Sequence, residues 1–323
     1  FDSLSASDLH QTATEADGRL EREERFSEAL SGLEEQLADL PSFTEVDRYL
    51  LSNNDIPAEA LAKLDTGKAP RSSYLSSDAS KIQVFVLFGL DGVDSSDSVM
   101  LVALDRVHQK IKLISLARDS YVFIPEFASF SKLAYSYTWG GAAMAVKNLN
   151  YNYYLNVSDY IAVDFDQLAE IIDRIGGVTV NIDEDEARYL SGYPNVHVGD
   201  CLLDGETAVS YARIRKSSAT DSDRKRTGRQ REVILSILNT LQTMPLSQYP
   251  GFVRDCLGMC ATSFEAETLL TMAAETLGQN YTVEQYFFPE GQVDWWAGLI
   301  KEYFYYVYDL RRASDRIYRI IYE

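Results

Sequence analysis

IQVFVLFGLDGVDSSDSVMLVALDRVHQKIKLISLARDS runs from Ile82 to Ser120, and its texture decides the fold class. Three short runs, Ile82–Leu90, Ser98–Leu104 and Ile111–Leu116, are apolar, rich in β-branched residues and separated by polar breaks. That pattern predicts strands rather than helices. Asp105–Lys110 reads as a hairpin connection between the second and third. Downstream the periods alternate. Gly140–Leu149 predicts a helix, Tyr160–Val163 a strand and Phe165–Ile175 a helix that Gly176-Gly177 ends before a strand at Val178–Ile182. The mixture predicts an α/β domain (an α+β sandwich) with a central mixed β-sheet flanked by helices. Glu265–Leu277 reads as helix, Tyr281–Phe288 as strand, and the aromatic end from Trp295 to Glu323 as helix-prone.

Upstream of this domain the chain changes character. Residues 1–70 hold sixteen acids and six bases, and Phe26, Leu30, Leu33, Leu37 and Leu40 recur at 4-3-4-3 spacing. One amphipathic helix, docked on the main body or acting as a spacer, accounts for that spacing; two heptads are too few for a coiled coil. Residues 71–80 are serine-rich and read as a linker, so the expected organisation is a helical segment at 1–70, the linker, and one domain over 81–323.

The net charge of −19 argues against general nucleic-acid binding, because a phosphate backbone would be repelled. Yet Tyr211–Arg231 (YARIRKSSATDSDRKRTGRQR) concentrates eight Lys/Arg against two Asp. A local anion site fits both facts. Three cysteines, Cys201, Cys256 and Cys260, are not a disulfide framework, and the three histidines have no metal spacing. There is no P-loop and no nucleophile elbow.

Within the basic stretch, Tyr211–Arg215, read as extended, places Arg213 and Arg215 on one face as a fork for a phosphate or carboxylate. An exposed strand with salt-bridged arginines is the other reading of the same residues. Asp223 reads as the N-cap of a long helix whose apolar stripe is Val233, Ile234, Ile237, Leu238 and Leu241. Stepping back along that stripe brings Gln230 and Arg226 to the inward edge, in the first turns, where an anion is favoured. A buried salt bridge to Asp97 or Asp119 is the other reading. Those two acids stand at neighbouring strand ends if the strands pair as a hairpin, and suit a hard cation such as Mg²⁺ completed by phosphate oxygens and water.

Six segments, in order, carry a resemblance: SDSVMLVAL, SLARDSYV, KLAYSYTWGG, VDFDQLAEIIDRIGGVTVNI, LLDGETAVSYARIR and DRKRTGRQ. Together they resemble the LytR–CpsA–Psr family of bacterial cell-wall phosphotransferases, strongly over about 81–245 and more weakly to the C-terminus. The resemblance implies transfer of a glycopolymer from a polyprenyl-pyrophosphate carrier to a peptidoglycan hydroxyl, with release of polyprenyl phosphate. It implies a lipid tail in an apolar tunnel, Mg²⁺ (or Mn²⁺) held by Asp97 and Asp119, and pyrophosphate contacts from Arg118, Lys132, Arg213, Arg215, Arg226 and Gln230. It also implies an extracytoplasmic domain held at the membrane by an N-terminal anchor absent from this chain, in a bacterium of Gram-positive type. Of these residues, Asp97, Asp119, Arg118, Arg213 and Arg215 would carry the chemistry. The chain departs from the family at Ser95, usually Arg, at Ala117, usually Pro, and at Ala134 and Tyr135, often polar. The same residues leave two alternatives open: a lipid-binding or regulatory paralogue without turnover, and a lipid pyrophosphatase.

Overall fold

The computed structural model of the chain describes residues 81–323 apart from 93–94, 128, 216–218, 278–280, 290–292 and 301–302, with backbone alone at 219–223 and 246. The helix expected within 1–70 and the linker at 71–80 lie outside the described residues. In chain order the strands are β1 (Ile82–Leu90), β2 (Ser96–Asp105), β3 (Lys110–Leu116), β4 (Tyr121–Ile124), β5 (Ser129–Lys132), β6 (Asp159–Asp164), β7 (Val178–Ile182), β8 (Gly199–Leu203), β9 (Ala261–Thr262), β10 (Thr282–Phe288), β11 (Trp295–Ile300) and β12 (Tyr303–Tyr308). The helices are α1 (Tyr135–Tyr153), α2 (Phe165–Arg174), α3 (Glu184–Tyr189), α4 (Gly205–Ala212), α5 (Ala219–Thr243), α6 (Tyr249–Met259), α7 (Ala266–Leu277) and α8 (Leu310–Tyr322).

The central sheet has the order β10-β3-β2-β1-β6-β9 and is mixed, as the pattern predicts. β1, β2 and β3 are antiparallel neighbours, while β6 and β10 add in parallel. Strand alternation divides the core between two faces. Phe85, Val102, Leu104, Ile111 and Leu113 face one side and pack with Ile234, Leu238, Leu269 and Met272 of α5 and α7. The other face carries Val86, Phe88, Leu101 and Ile114, all fully buried. There Tyr137 of α1 packs on Phe88 at 5.1 Å between ring centroids. A second core forms where α2, α4 and α5 meet the β7–β8 hairpin, around Ile172, Val180, Tyr211 and Val233. Gly176 (φ 85°) and Gly177 (φ 100°) lead from α2 into that hairpin, a conformation that glycine adopts without steric penalty.

One buried charge ties the sheet to the C-terminus. Lys112 Nζ lies 3.2 Å from Asp105 Oδ2 and donates to the Ile321 carbonyl of α8 at 3.0 Å. Burial alone would raise the Asp105 pKa, but hydrogen bonds from His108 and Lys112 outweigh it and hold the carboxyl below its usual value. A depressed folded pKa stabilises above the unfolded value of about 3.9 and is lost as pH falls through the folded value. Thermal unfolding followed down to about pH 3 should therefore show an acid-destabilised limb that Asp105→Asn flattens. An unchanged limb in that variant would place the titrating groups elsewhere.

The structure corrects four sequence readings. Tyr211–Arg215 is not a strand: α4 runs through Ala212, Arg213 caps it, and Tyr211 and Ile214 are buried while Arg213 and Arg215 are exposed. Packing on the second core overrides the β-like alternation. Asp223 is not the N-cap, because α5 already begins at Ala219. Arg226 and Gln230 thus lie beyond the first turn, where backbone amides are engaged within the helix. Trp295–Ile300 and Tyr303–Tyr308 pair as antiparallel strands, and among the described residues of this end only Leu310–Tyr322 is helical. Alternating aromatic residues favour a pleated, half-buried surface over a helix. α1 also starts at Tyr135, earlier than Gly140, and Gly140–Gly141 form a kink inside it.

Candidate functional site

The loop between β3 and β4 carries Arg118 and Asp119, and it is pinned on every side. Ala117 N–H donates to Phe288 O at 2.8 Å, Ser120 N–H to Ala117 O at 3.0 Å and Ala134 N–H to Arg118 O at 3.0 Å. Tyr306 N–H donates to Asp119 O at 3.0 Å. Beneath it runs a buried hydroxyl chain. Ser120 Oγ donates to Ala117 O at 2.6 Å, Ser120 lies 2.8 Å from Tyr308 OH, and Tyr308 lies 2.5 Å from Tyr153 OH. Since Ser120 has one proton, Tyr308 donates to Ser120 and Tyr153 to Tyr308. Burial pushes the Tyr153 phenol up to about 12, so this chain stays protonated and structural.

At the end of β1 and start of β2, Asp97 gathers the arginines. Its Oδ1 accepts a hydrogen bond from Arg118 Nη1 and lies 3.5 Å from Arg215 Nη2 and 3.6 Å from Arg226 Nη1. Arg226 is 1% exposed, on the inward edge of α5 as the helical stripe predicts. Arg118 Nε is also 3.8 Å from Asp119 Oδ2, and Asp119 Oδ1 takes Lys132 Nζ at 2.7 Å. Arg118 therefore bridges the two carboxylates. Arg213 stacks on Phe165 at 4.5 Å.

Two cavities border this cluster, and a third adjoins the second. A polar cleft of 720 Å³ is lined by Asp97, Arg118, Arg213 and Arg215, with Asp91, Tyr189, Tyr193 and Ser210. Asp97 and Gln230 also border an apolar cavity of 210 Å³. That cavity shares Leu87, Ile161, Ile234 and Cys260 with a third, of 310 Å³, between the sheet and α5, α6 and α7. The result is a continuous set of linings that runs from charged to wholly apolar. Burial pushes the Cys256 thiol up to about 12 and Cys260 to about 11, so both act as apolar lining at neutral pH. Cys201 is buried in the second core, and all three thiols are free.

All eight residues singled out in the sequence thus lie around one centre, with Lys132 reaching it through Asp119. Sequence reading missed Asp91, Tyr189, Tyr193 and Ser210. Asp91 had a signal, a turn acid at a strand end one residue before Gly92; the others had none. It also missed Arg229, 4% exposed, whose Nε donates to Glu186 Oε1 at 2.7 Å and whose Nη1 donates to Ile214 O at 3.1 Å. Glu186 caps α3, so one buried ion pair joins α3 and α5 to the loop bearing Arg213 and Arg215.

Among the described residues no cluster of three or more His, Cys, Asp or Glu could hold a metal. Asp97 and Asp119 supply carboxylate oxygens, the donor type that a hard divalent ion takes alongside water and substrate phosphate. Gln230 Oε1 is buried with no hydrogen-bond partner among the described residues, and a polar group left so at a cavity wall points to a ligand.

Residues 53–317 match the LytR_cpsA_psr family. A polyisoprenyl-teichoic acid–peptidoglycan teichoic acid transferase, TagU, of Oceanobacillus iheyensis is 29% identical over 230 residues, 68% of this chain and 69% of that protein. Regulatory protein MsrR of Staphylococcus aureus is 30% identical over 184 residues, 54% of each chain. A second TagU, of Enterococcus faecalis, is 30% identical over 49% of this chain and 54% of its own. The chain thus spans about half the length of the last two. Among solved structures, Bacillus subtilis TagT superposes with a TM-score of 0.62 at 20% identity, covering 80% of this chain and 99% of TagT. TagT with bound octaprenyl pyrophosphate lipid gives 0.60 at 18%, covering 80% and 98%. At these identities the likeness is one of fold.

Proposed function

The chain belongs to the LytR–CpsA–Psr family, and from that premise we propose that it is a phosphotransferase that attaches a teichoic-acid-like glycopolymer to peptidoglycan. The observation that carries this reading is the junction at Asp97. There a four-arginine site for a pyrophosphate meets an apolar cavity system suited to a polyprenyl tail. The donor's pyrophosphate lies among Arg118, Arg213, Arg215 and Arg226, with Gln230 at the tunnel mouth. A hydroxyl of the wall attacks the phosphorus next to the glycopolymer, its proton passing to solvent. The bond to the bridging oxygen breaks, and polyprenyl phosphate leaves along the tunnel. The arginines stabilise charge that grows on the bridging and leaving oxygens. Asp97 and Asp119 would hold Mg²⁺ or Mn²⁺, and the positive charge it supplies when bound adds to theirs. Both substrates lie outside the cytoplasmic membrane, so the domain acts there, held at the surface by the anchor its family resemblance implies.

A second reading, a module that binds the lipid carrier without turnover, is favoured by Ser95, where the family usually has a further arginine. One experiment separates them: the full chain, a polyprenyl-pyrophosphate-linked glycopolymer, peptidoglycan and Mg²⁺. Transfer predicts release of polyprenyl phosphate with stoichiometric labelling of the wall. Binding without product favours the module, and lipid release without labelling means hydrolysis; either outcome sinks transfer.

A further inference from the structure

On the Asp119–Lys132 side of the site the fold leaves a group of aromatic rings in water. Phe127 is 55% and Trp139 46% exposed, with ring centroids 4.9 Å apart and planes at 82°. Tyr135 lies 5.4 Å from Trp139. Contiguous exposed rings of this size mark a contact surface. These are also held in place. The Glu126–Lys147 ion pair, at 2.9 Å, ties the Pro125–Phe127 turn to α1. Directly after Trp139, Gly140 and Gly141 leave the helical conformation, Gly141 at φ 64°, ψ −161°, so the kink falls where the ring is presented.

The patch is continuous with the site. Ala134 N–H donates to the Arg118 carbonyl, so Tyr135 begins α1 beside the Arg118–Asp119 pair and Trp139 follows one helical turn on. On the other flank Tyr305 packs 5.7 Å from Lys132 Nζ, and Tyr303, on the same face of β12, is 54% exposed. The donor cleft and lipid cavities are lined by a different set of residues. Asp119 and Lys132 join the charged cluster without lining that cleft.

We propose that Phe127, Tyr135 and Trp139 form the subsite for the glycan strand of the acceptor, with pyranose rings stacked on the indole and phenyl faces. The inference rests on the transfer reading and specifies its second substrate. A pyranose presents a face of C–H groups made electropositive by neighbouring oxygens, which complements the negative face of an aromatic ring. In-line displacement needs the attacking hydroxyl away from the leaving oxygen. With the lipid drawn into the tunnel behind Asp97 and Gln230, the Asp119 side receives the nucleophile.

The test uses peptide-free oligosaccharides of alternating N-acetylglucosamine and N-acetylmuramic acid, titrated into the full chain and into Trp139→Ala, Phe127→Ala and Trp139→Phe. Trp139→Ala should weaken glycan affinity on the order of tenfold and raise the acceptor KM alike. Phe127→Ala should act in the same direction, and Trp139→Phe should recover most of the loss. The donor KM and the affinity for polyprenyl pyrophosphate should not move. Unchanged glycan affinity in both alanine variants overturns the assignment. So does a shift in donor KM instead, which would give the patch to the glycopolymer. Lipid binding by the unaltered chain reads the transfer proposal separately. If it is intact while the patch variants behave as wild type, the subsite alone has failed. If it is missing along with turnover, the transfer reading falls and takes the subsite with it.

Discussion

Asp97→Asn should lower the rate of glycopolymer transfer by about a thousandfold or more while leaving polyprenyl pyrophosphate bound. The geometry separates the two effects. Asp97 Oδ1 is the common partner of Arg118, Arg215 and Arg226, so its charge both orders them and, under the proposed function, holds the metal. The amide keeps the volume and one acceptor oxygen but removes the negative charge. Arg118, Arg215 and Arg226 each lose one carboxylate contact and gain from a pyrophosphate in its place, so lipid affinity should hold or rise as turnover disappears. Arg226→Met makes the contrast. It deletes the buried cation and leaves a side chain of similar reach, so binding and transfer should fall together. Stability should also fall in Asp97→Asn, because the substitution weakens an ion pair of a cation that is 1% exposed. The comparison needs single-turnover transfer, lipid affinity and a melting curve on each variant. Transfer at the wild-type rate in Asp97→Asn would remove that carboxylate from the chemistry.

The second large effect is expected at the neck of the apolar passage. Leu87, Ile161, Ile234 and Cys260 line both apolar cavities, so a side chain that fills this junction cuts one from the other. Ile234→Trp should reduce affinity for a long polyprenyl pyrophosphate by more than about a hundredfold, since each buried methylene contributes about 0.8 kcal/mol. Affinity for a pyrophosphate with a single short prenyl unit should change little, because the arginines lie on the near side of the block. The added indole enters empty space rather than a filled core, so the overpacking penalty of about 1–3 kcal/mol should be small or absent and the melting temperature retained. Binding the long-chain lipid as tightly as wild type would mean that the tail does not use these cavities.

Much of the site was legible in the sequence because its residues obey local periods. Asp97, Arg118 and Asp119 sit at strand ends that apolar runs and a hairpin break announce. Arg226 and Gln230 fall on the line of Val233, Ile237 and Leu241, and helical geometry alone turns them inward. The pairing of Arg226 with Asp97 is one of the two readings that the sequence leaves open, and the structure shows the ion pair at 3.6 Å. Arg213 and Arg215 came from a wrong local structure. Read as a strand they shared a face; in the fold a helix end and a loop bring them to the same cleft. The placement survived because Ala212 and Ile214 are buried in either case, which leaves the two arginines outside.

The sequence by itself determined a mixed sheet flanked by helices, the two acids, the basic cluster and the family. Each depends on spacing within a few residues, where one backbone period sets which side chains share a face. The tertiary structure alone decided that one carboxylate faces three arginines from three segments, that Arg229 and Glu186 hold the Arg213–Arg215 loop, and that an apolar cavity borders Asp97 and Gln230. It also decided that Tyr135 and Trp139 begin beside Arg118, through a single hydrogen bond from Ala134. These facts join residues tens to more than a hundred positions apart. Only chain crossing and packing bring such residues together, and no local period encodes the partner.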